Sequence, residues 1–200
     1  MDQALRLILP IYFVLYFGFA FVAKSMIVAK KIGKSPLVLP NDDTAFGLVG
    51  RYFKLTLIAM FVYVLLYVAN PNTFGKGLNI MQLENTWVDI AGLFLLGIAL
   101  ILTVVAQYDM RDSWRIGIDT ETETELITTG LFKYSRNPVF LGMVICLLGL
   151  FLVTPNALTL LFLILGYVLI QIQIRLEEAF LTKQHGLDYI SYQKKVRRFL

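Results

Sequence analysis

The stretch that decides the fold is Pro138–Glu178, "PVFLGMVICLLGLFLVTPNALTLLFLILGYVLIQIQIRLEE". It contains two uncharged apolar runs, Pro138–Val153 and Ala157–Ile174, parted only by "TPNA" at Thr154–Ala157. A Pro-Asn turn that short forces an antiparallel helical hairpin. A membrane-crossing helix needs about 20 apolar residues, with a range of about 17–25. The first run is therefore short, and the pair is expected to tilt or to fall short of a full span. Polar residues gather at the open end of the hairpin: Arg136 and Asn137 before the first run, Arg175, Glu177 and Glu178 after the second.

Working outward, the whole chain is apolar. Of its 200 residues 58% are hydrophobic, and its mean hydropathy is +0.70, whereas soluble domains are about 45–50% apolar. Three further spans are expected: Leu7–Ala23 with Arg6 and Lys24 at its ends, Tyr52–Ala69 with Lys54 able to snorkel, and Ile90–Gln107 entered through Trp87. The fold class is all-α integral membrane, with about five transmembrane helices, the C-terminal hairpin and interfacial segments. Residues 1–107 form a three-span region and 108–200 a loop, the hairpin and an amphipathic end, together one structural domain. Asp2 precedes the first Arg, and the first run is long without a small-residue cleavage pattern, so it is expected to be a span rather than a cleavable signal.

The charges alternate along the chain. Lys24, Lys30, Lys31, Lys34, Arg51 and Lys54 fall between the first two spans, and only Lys76 in the next loop. Arg111, Arg115, Lys133 and Arg136 follow in the third loop, none in the fourth, and Arg175, Lys183, Lys194, Lys195, Arg197 and Arg198 lie in the C-terminal segment. By the positive-inside rule the N-terminus is outside and the basic segments are cytoplasmic, with a bacterial inner membrane expected. This bias accounts for the net charge of +4 without a nucleic-acid partner. The single Cys, Cys146, can form no internal disulfide, and one His without HExxH or CxxC offers no metal site.

Two basic segments are long enough to hold a site. Tyr108–Asn137 contains "SWRIGID" and "ELITTG", two β-like runs around "TETET". Beyond Ile174 the last helix is expected to continue to about Gln184 and stop at His185-Gly186. A basic amphipathic segment with Leu187, Ile190, Val196 and Phe199 on one face then follows.

Glu177 and Glu178 are either a solvated helix end or partners for a cation, which Arg136, Arg175 or a ligand's positive centre would supply. Arg136 is either a topology signal or a guanidinium for a ligand carboxylate or phosphate. Asn137 suits an N-cap and Pro138 a first helical turn, so the free amides there offer an anion site. With Phe132, Tyr134 and Phe140 nearby, the set suits a zwitterionic or cationic ligand. Ser113, Ser135 and Ser191 have no partnered His, so no nucleophilic triad is visible. Gly142, Gly149 and Gly166 are expected to be helix-packing positions. Gln107, Gln171 and Gln173 are expected to join helices. The spans carry no charge beyond Lys54 near one end, which argues against a pump.

From about Trp114 to Leu200 the sequence resembles the isoprenylcysteine carboxyl methyltransferase family and the related phospholipid methyltransferases. That family shows L-V-x-x-G-x-Y, then R-H-P-x-Y, a helical hairpin, a Glu-Glu pair and G-x-x-Y-x-x-Y with a basic tail. This chain reads "LITTGLF" at Leu126–Phe132, "RNPVF" at Arg136–Phe140, "EE" at Glu177–Glu178 and "GLDYISY" at Gly186–Tyr192. The resemblance implies S-adenosylmethionine as methyl donor and a membrane lipid or lipidated small molecule as acceptor, methylated on a carboxylate, thiol or amine. Glu125, Leu126, Ile127 and Phe132 would line the adenosyl part; Arg136, Asn137, Pro138, Val139 and Phe140 would enclose the methionine part; Glu177 and Glu178 would face them from the last helix. Arg136, Asn137 and Glu177 are the implied catalytic group, and Gln173 and Arg175 the acceptor side. An amine acceptor would need a base, for which Tyr134 or Glu178 is a candidate. Asn137 stands where the family has His, Phe132 and Phe140 where it has Tyr, and Gln173 where an Arg faces the acceptor. These departures bear on the acceptor more than on the donor. A nicotinamide-dependent reductase resembling sterol reductases, and a non-catalytic protein of the same fold, are the alternative expectations.

Overall fold

The computed structural model describes residues 2–38, 42–76, 80, 83–117 and 124–200. Helix α1 (Asp2–Phe17) runs through a π-helical turn, Gly18–Ala23, straight into α2 (Lys24–Ile32). The result is one apolar rod, Gln3–Ile32. It ends at Gly33, whose φ of 75° gives a left-handed cap and whose N–H donates to the Ala29 carbonyl. Lys24, Lys30 and Lys31 therefore stand on a helix and not in a loop. Lysine is a good helix former, so hydropathy fades there while helical structure continues to the glycine.

Helix α3 (Ala45–Ala69) starts seven residues before the apolar run, because Thr44 caps it by accepting from the Gly47 N–H. Helix α4 (Thr86–Asp109) is capped by Asn85, which accepts from the Trp87 N–H. Helices α5 (Pro138–Val153) and α6 (Ala157–Lys195) make the hairpin. Four helical segments are long and apolar enough to cross a membrane, and α5 is a shorter apolar helix. At about 1.5 Å per residue α5 is about 24 Å long, less than a hydrocarbon core of about 30 Å. The architecture is all-α, with an exposed girdle of Leu7, Val14, Leu65, Phe94, Ile101 and Ile164 that only a lipid environment would favour.

The hairpin tip is fixed by Asn156. Its side chain accepts from the Leu158 and Thr159 N–H groups and donates to the Tyr63 hydroxyl of α3 at 2.7 Å. Helices α4 and α5 touch backbone to backbone. A Cβ on Gly149 would lie 3.0 Å from the Gly92 carbonyl oxygen and equally close to Leu96, and one on Gly92 would meet Gly149 and Val153. Gly142 abuts Thr103 and Ala99 in the same way, and Gly166 abuts Leu147. The expected packing glycines are thus placed, and Gly92 joins them. Small residues let membrane helices gain dispersion and backbone contact where the hydrophobic effect gives little. Helix α1 is pinned to this pair through Tyr16, hydrogen-bonded to Thr103 at 3.0 Å, and Tyr12, which donates to the Cys146 sulfur. Gln171 and Gln173 bond along α6, to Arg175 and Glu177, rather than across to a neighbour.

The sequence pattern predicts two β-like runs around "TETET". Ile116–Gly117 does form a two-residue strand, β2, paired in parallel with Leu37–Val38, β1. "ELITTG" forms no strand and leads into a 3-10 turn at Gly130–Lys133. Residues 118–123, with the end of "SWRIGID" and most of "TETET", lie outside the described residues. The 3-10 turn is anchored by α4: Asp109 accepts from the Leu131 N–H at 2.8 Å. Helix α6 breaks at Gly186 (φ 55°, ψ −125°), as its sequence suggests, and a final helical piece runs to Lys195.

Replacing Gly149 with Val should force α4 and α5 apart and cost about 1–3 kcal/mol. Gly97→Val, on α4 with nothing within 4 Å, should cost far less. Thermal melting in one detergent, comparing both with the parent, checks this.

Candidate active site at the basic end of the bundle

The hairpin turn brings the starts and ends of α5 and α6 into register, so Arg136 and the glutamates meet. Consecutive residues on a helix point about 100° apart, and the two glutamates diverge accordingly. Glu178 is buried and turns toward Arg136. Its Oε1 accepts from Arg136 Nη2 at 2.8 Å and Nε at 3.1 Å, and its Oε2 from Arg198 Nη2 at 2.6 Å. Arg136 Nη1 donates to the carbonyls of Gln193 and Val196. The Arg136 backbone N–H donates to the Arg197 carbonyl, and Asn137 Nδ2 donates to the Arg198 carbonyl. The Tyr192 hydroxyl donates to the Phe132 carbonyl at 2.6 Å. The C-terminal tail is thereby locked onto the Arg-Asn-Pro turn. Burial alone would push the Glu178 carboxyl up, but hydrogen bonds from Arg198 and Arg136 outweigh it and hold the group below the usual carboxylate range.

Glu177 turns the other way, onto a cavity of about 420 Å³, within the size range of small-molecule sites, about 300–1,000 Å³. The cavity wall includes Asn137, Pro138, Val139 and Phe140 of α5, Phe132 before it, and Gln173 and Glu177 of α6. Arg136 also touches it, although four of its hydrogen bonds go to Glu178 and to tail carbonyls. Glu177 accepts from Gln173 Nε2 at 2.9 Å. It lies beyond Ile174, outside the apolar part of α6. Burial pushes its carboxyl up to about 7, against the opposing pull of the Gln173 hydrogen bond. Glu177 is half-buried and faces the open cavity. A carboxyl in these surroundings is stabilised as an anion by any cation that enters.

The other sequence-derived residues lie elsewhere. Glu178 serves the tail. Arg175 is exposed and bonds to Gln171. Glu125, Leu126 and Ile127 are not in the cavity wall, and Glu125 is exposed. Tyr134 is exposed too. Asn137 occupies the N-cap position of α5, yet its side chain makes no cap hydrogen bond; the amide is spent on Glu178 and the tail.

Several walls come from segments with no motif. Phe17 and Phe21 of the π-turn region, Phe53 and Lys54 of α3, Trp114, and the Ile116–Gly117 strand all line the cavity. The one sequence signal for them was the position of Lys54 at the basic end of an apolar span. Nothing local announced that Arg198 would return to Glu178.

The all-helical bundle thus sets an Arg-Asn-Pro turn against a paired glutamate, with an acid-bearing cavity beside them. The chain belongs to the phospholipid methyltransferase family, whose model matches residues 87–188, just over half of the chain. That match runs from the start of α4 through the hairpin to the glycine break. Among curated proteins no significant match is found.

Glu178→Gln should leave Arg136 and Arg198 without a counter-charge and destabilise the tail by about 3 kcal/mol, the lower end for breaking a buried pair because Arg198 is partly exposed. Because the folded-state acidity of Glu178 is enhanced, its contribution is present above the ordinary carboxylate range and lost as pH falls through its depressed value. Hydrogen exchange over residues 193–199 should accelerate in the variant at neutral pH, and in the parent only in acid.

Proposed function

We propose that the protein transfers a methyl group from S-adenosylmethionine to a lipophilic acceptor arriving from the bilayer. Family membership supports the reaction class. The observation that carries the donor is the contrast between neighbours: Glu178 is paired with two arginines, whereas Glu177 faces the cavity with only the neutral Gln173 as its hydrogen-bond partner among the described residues. S-adenosylmethionine supplies, when bound, an electrophilic methyl on a positively charged sulfur, together with an ammonium and a carboxylate.

Glu177 would balance the cationic groups. The start of α5, whose first amides no side chain caps, would receive the carboxylate through backbone N–H groups. The faces of Phe132, Phe140 and Trp114 suit an aromatic ring or a cation. Arg136 would act by position, holding the tail and the α5 start rather than gripping the ligand. Such a transfer needs alignment and exclusion of water rather than a protein nucleophile, and the mostly apolar wall supplies both. A carboxylate or thiolate acceptor would need no base. By the positive-inside rule this end would face the cytoplasm, with the N-terminus outside, in a bacterial inner membrane.

Calorimetry in detergent tests the donor. S-adenosylmethionine should bind, and reduced nicotinamide dinucleotide should give no heat. Glu177→Gln should weaken donor binding at least about tenfold, about 1.4 kcal/mol, with melting unchanged or raised. Because Glu177 is partly protonated near neutrality and a bound cation favours its ionised form, donor affinity should fall as pH drops below about 7. The Gln variant should lose that pH dependence. Donor binding by Glu177→Gln equal to the parent's at every pH would refute the reading.

A further inference from the structure

The cavity has a second side. Across from α5 and α6 its wall is made by α3 and by the α1 π-turn region, both outside the segment that carries the family match. A narrow cleft of about 40 Å³ adjoins it there, sharing Phe17, Phe21, Phe53, Leu57 and Met143 as walls and bounded further by Met60, Gly166 and Ile170. The cleft is almost wholly apolar, and its size admits the end of one hydrocarbon chain rather than two. Lys54 lines the larger cavity and is exposed; it is adjacent in sequence to Phe53 and about one helical turn from Leu57, which line both spaces. Among the described residues the cavity wall holds two other cations, both engaged. Arg136 is taken up by Glu178 and the tail, and Arg115 Nη1 donates to the Asp112 and Trp114 carbonyls. Lys54 has no ion pair or hydrogen bond among the described residues.

We propose that Lys54 is the specificity residue for the acceptor: its ammonium binds the anionic group, phosphate or carboxylate, of a single-chain lipid whose hydrocarbon lies along Phe53, Leu57 and Met60. This rests on the methyl-transfer reading for the word acceptor, while the lipid site itself does not need it. The donor has no apolar tail to fill the cleft, so the ligand that touches α3 is the one with a chain. A lysine beside that chain discriminates by the charge of the polar end. The amphiphile then lies with its anionic end at Lys54 on the α3 side of the cavity and its tail inside the bundle.

The test uses the full chain in detergent on a Trp87→Phe background, which leaves Trp114, in the cavity wall, as the single tryptophan. Lipids with brominated chains quench tryptophan on contact. Three probes are compared: a lysophosphatidic acid, a fatty acid and an uncharged monoacylglycerol. The anionic probes should quench at about tenfold lower concentration than the neutral one, and whichever anion is favoured identifies the group. Lys54→Met should abolish the preference and Lys54→Arg keep it. Lys195→Met, which removes one charge from the exposed end of α6, should leave it unchanged. S-adenosylhomocysteine affinity should be the same in all variants. Equal quenching by all three probes, or a preference that survives Lys54→Met, overturns the proposal. Loss of S-adenosylhomocysteine binding in Lys54→Met overturns it as well, by assigning the lysine to the donor. If the parent binds no S-adenosylhomocysteine but the Lys54-dependent preference holds, the lipid site stands and the methyl-transfer reading falls.

Discussion

Everything at the functional end depends on one carboxylate held by two guanidinium groups. Glu178, almost fully enclosed, receives charge-assisted hydrogen bonds from Arg136 and Arg198, and the same Arg136 draws in two tail carbonyls. Such a group is costly to bury alone and tolerable only when every partner is in place. Its requirement for completeness fixes three segments that are far apart in sequence: the turn before α5, the middle of α6 and the last residues of the chain. With these fixed, the start of α5 and Glu177 cannot shift relative to one another, and the cavity between them keeps its shape.

The division of labour between the two glutamates follows from helical geometry. One residue does structural work and its neighbour, a third of a turn away, is left facing an apolar wall with a neutral partner. Each environment moves the acid in an opposite direction, down for Glu178 and up for Glu177. A pair of like residues is thereby made chemically unlike, one permanently charged at neutral pH and one poised to respond to a visiting cation.

Much of the architecture was readable in the chain. The hairpin followed from two uncharged runs and a three-residue turn, the shortness of α5 from its residue count, and the α6 break from His185-Gly186. The family followed from an ordered set of short patterns that no composition argument could replace. What was hidden is nonlocal or depends on phase. Sequence placed Arg136 opposite the glutamates but not which of them it would meet, because the rotation of α6 relative to α5 is set by packing at the tip and along the glycine seam. The β1–β2 pair is two residues long on each side, too short to show a period. Helix α2 leaves no trace in the hydropathy pattern because lysines on a helix carry no apolar signal. The α1 and α3 walls of the cavity were invisible for a simpler reason: apolar residues facing lipid and apolar residues facing a ligand look alike.

The stretch from the Asn156 cap to Glu178 behaves as a ruler. At one end it is clamped by hydrogen bonds to Tyr63 and its own first turn, and at the other by two arginines. A single inserted or deleted residue between those clamps would twist the far end by about 100°, sending Glu178 away from its cations and Glu177 out of the chamber at once. Substitutions at the exposed positions of this helix can be absorbed one by one, but a change in its length cannot. The number of residues separating the cap from the acid pair should therefore be held more tightly over descent than the identity of most of them.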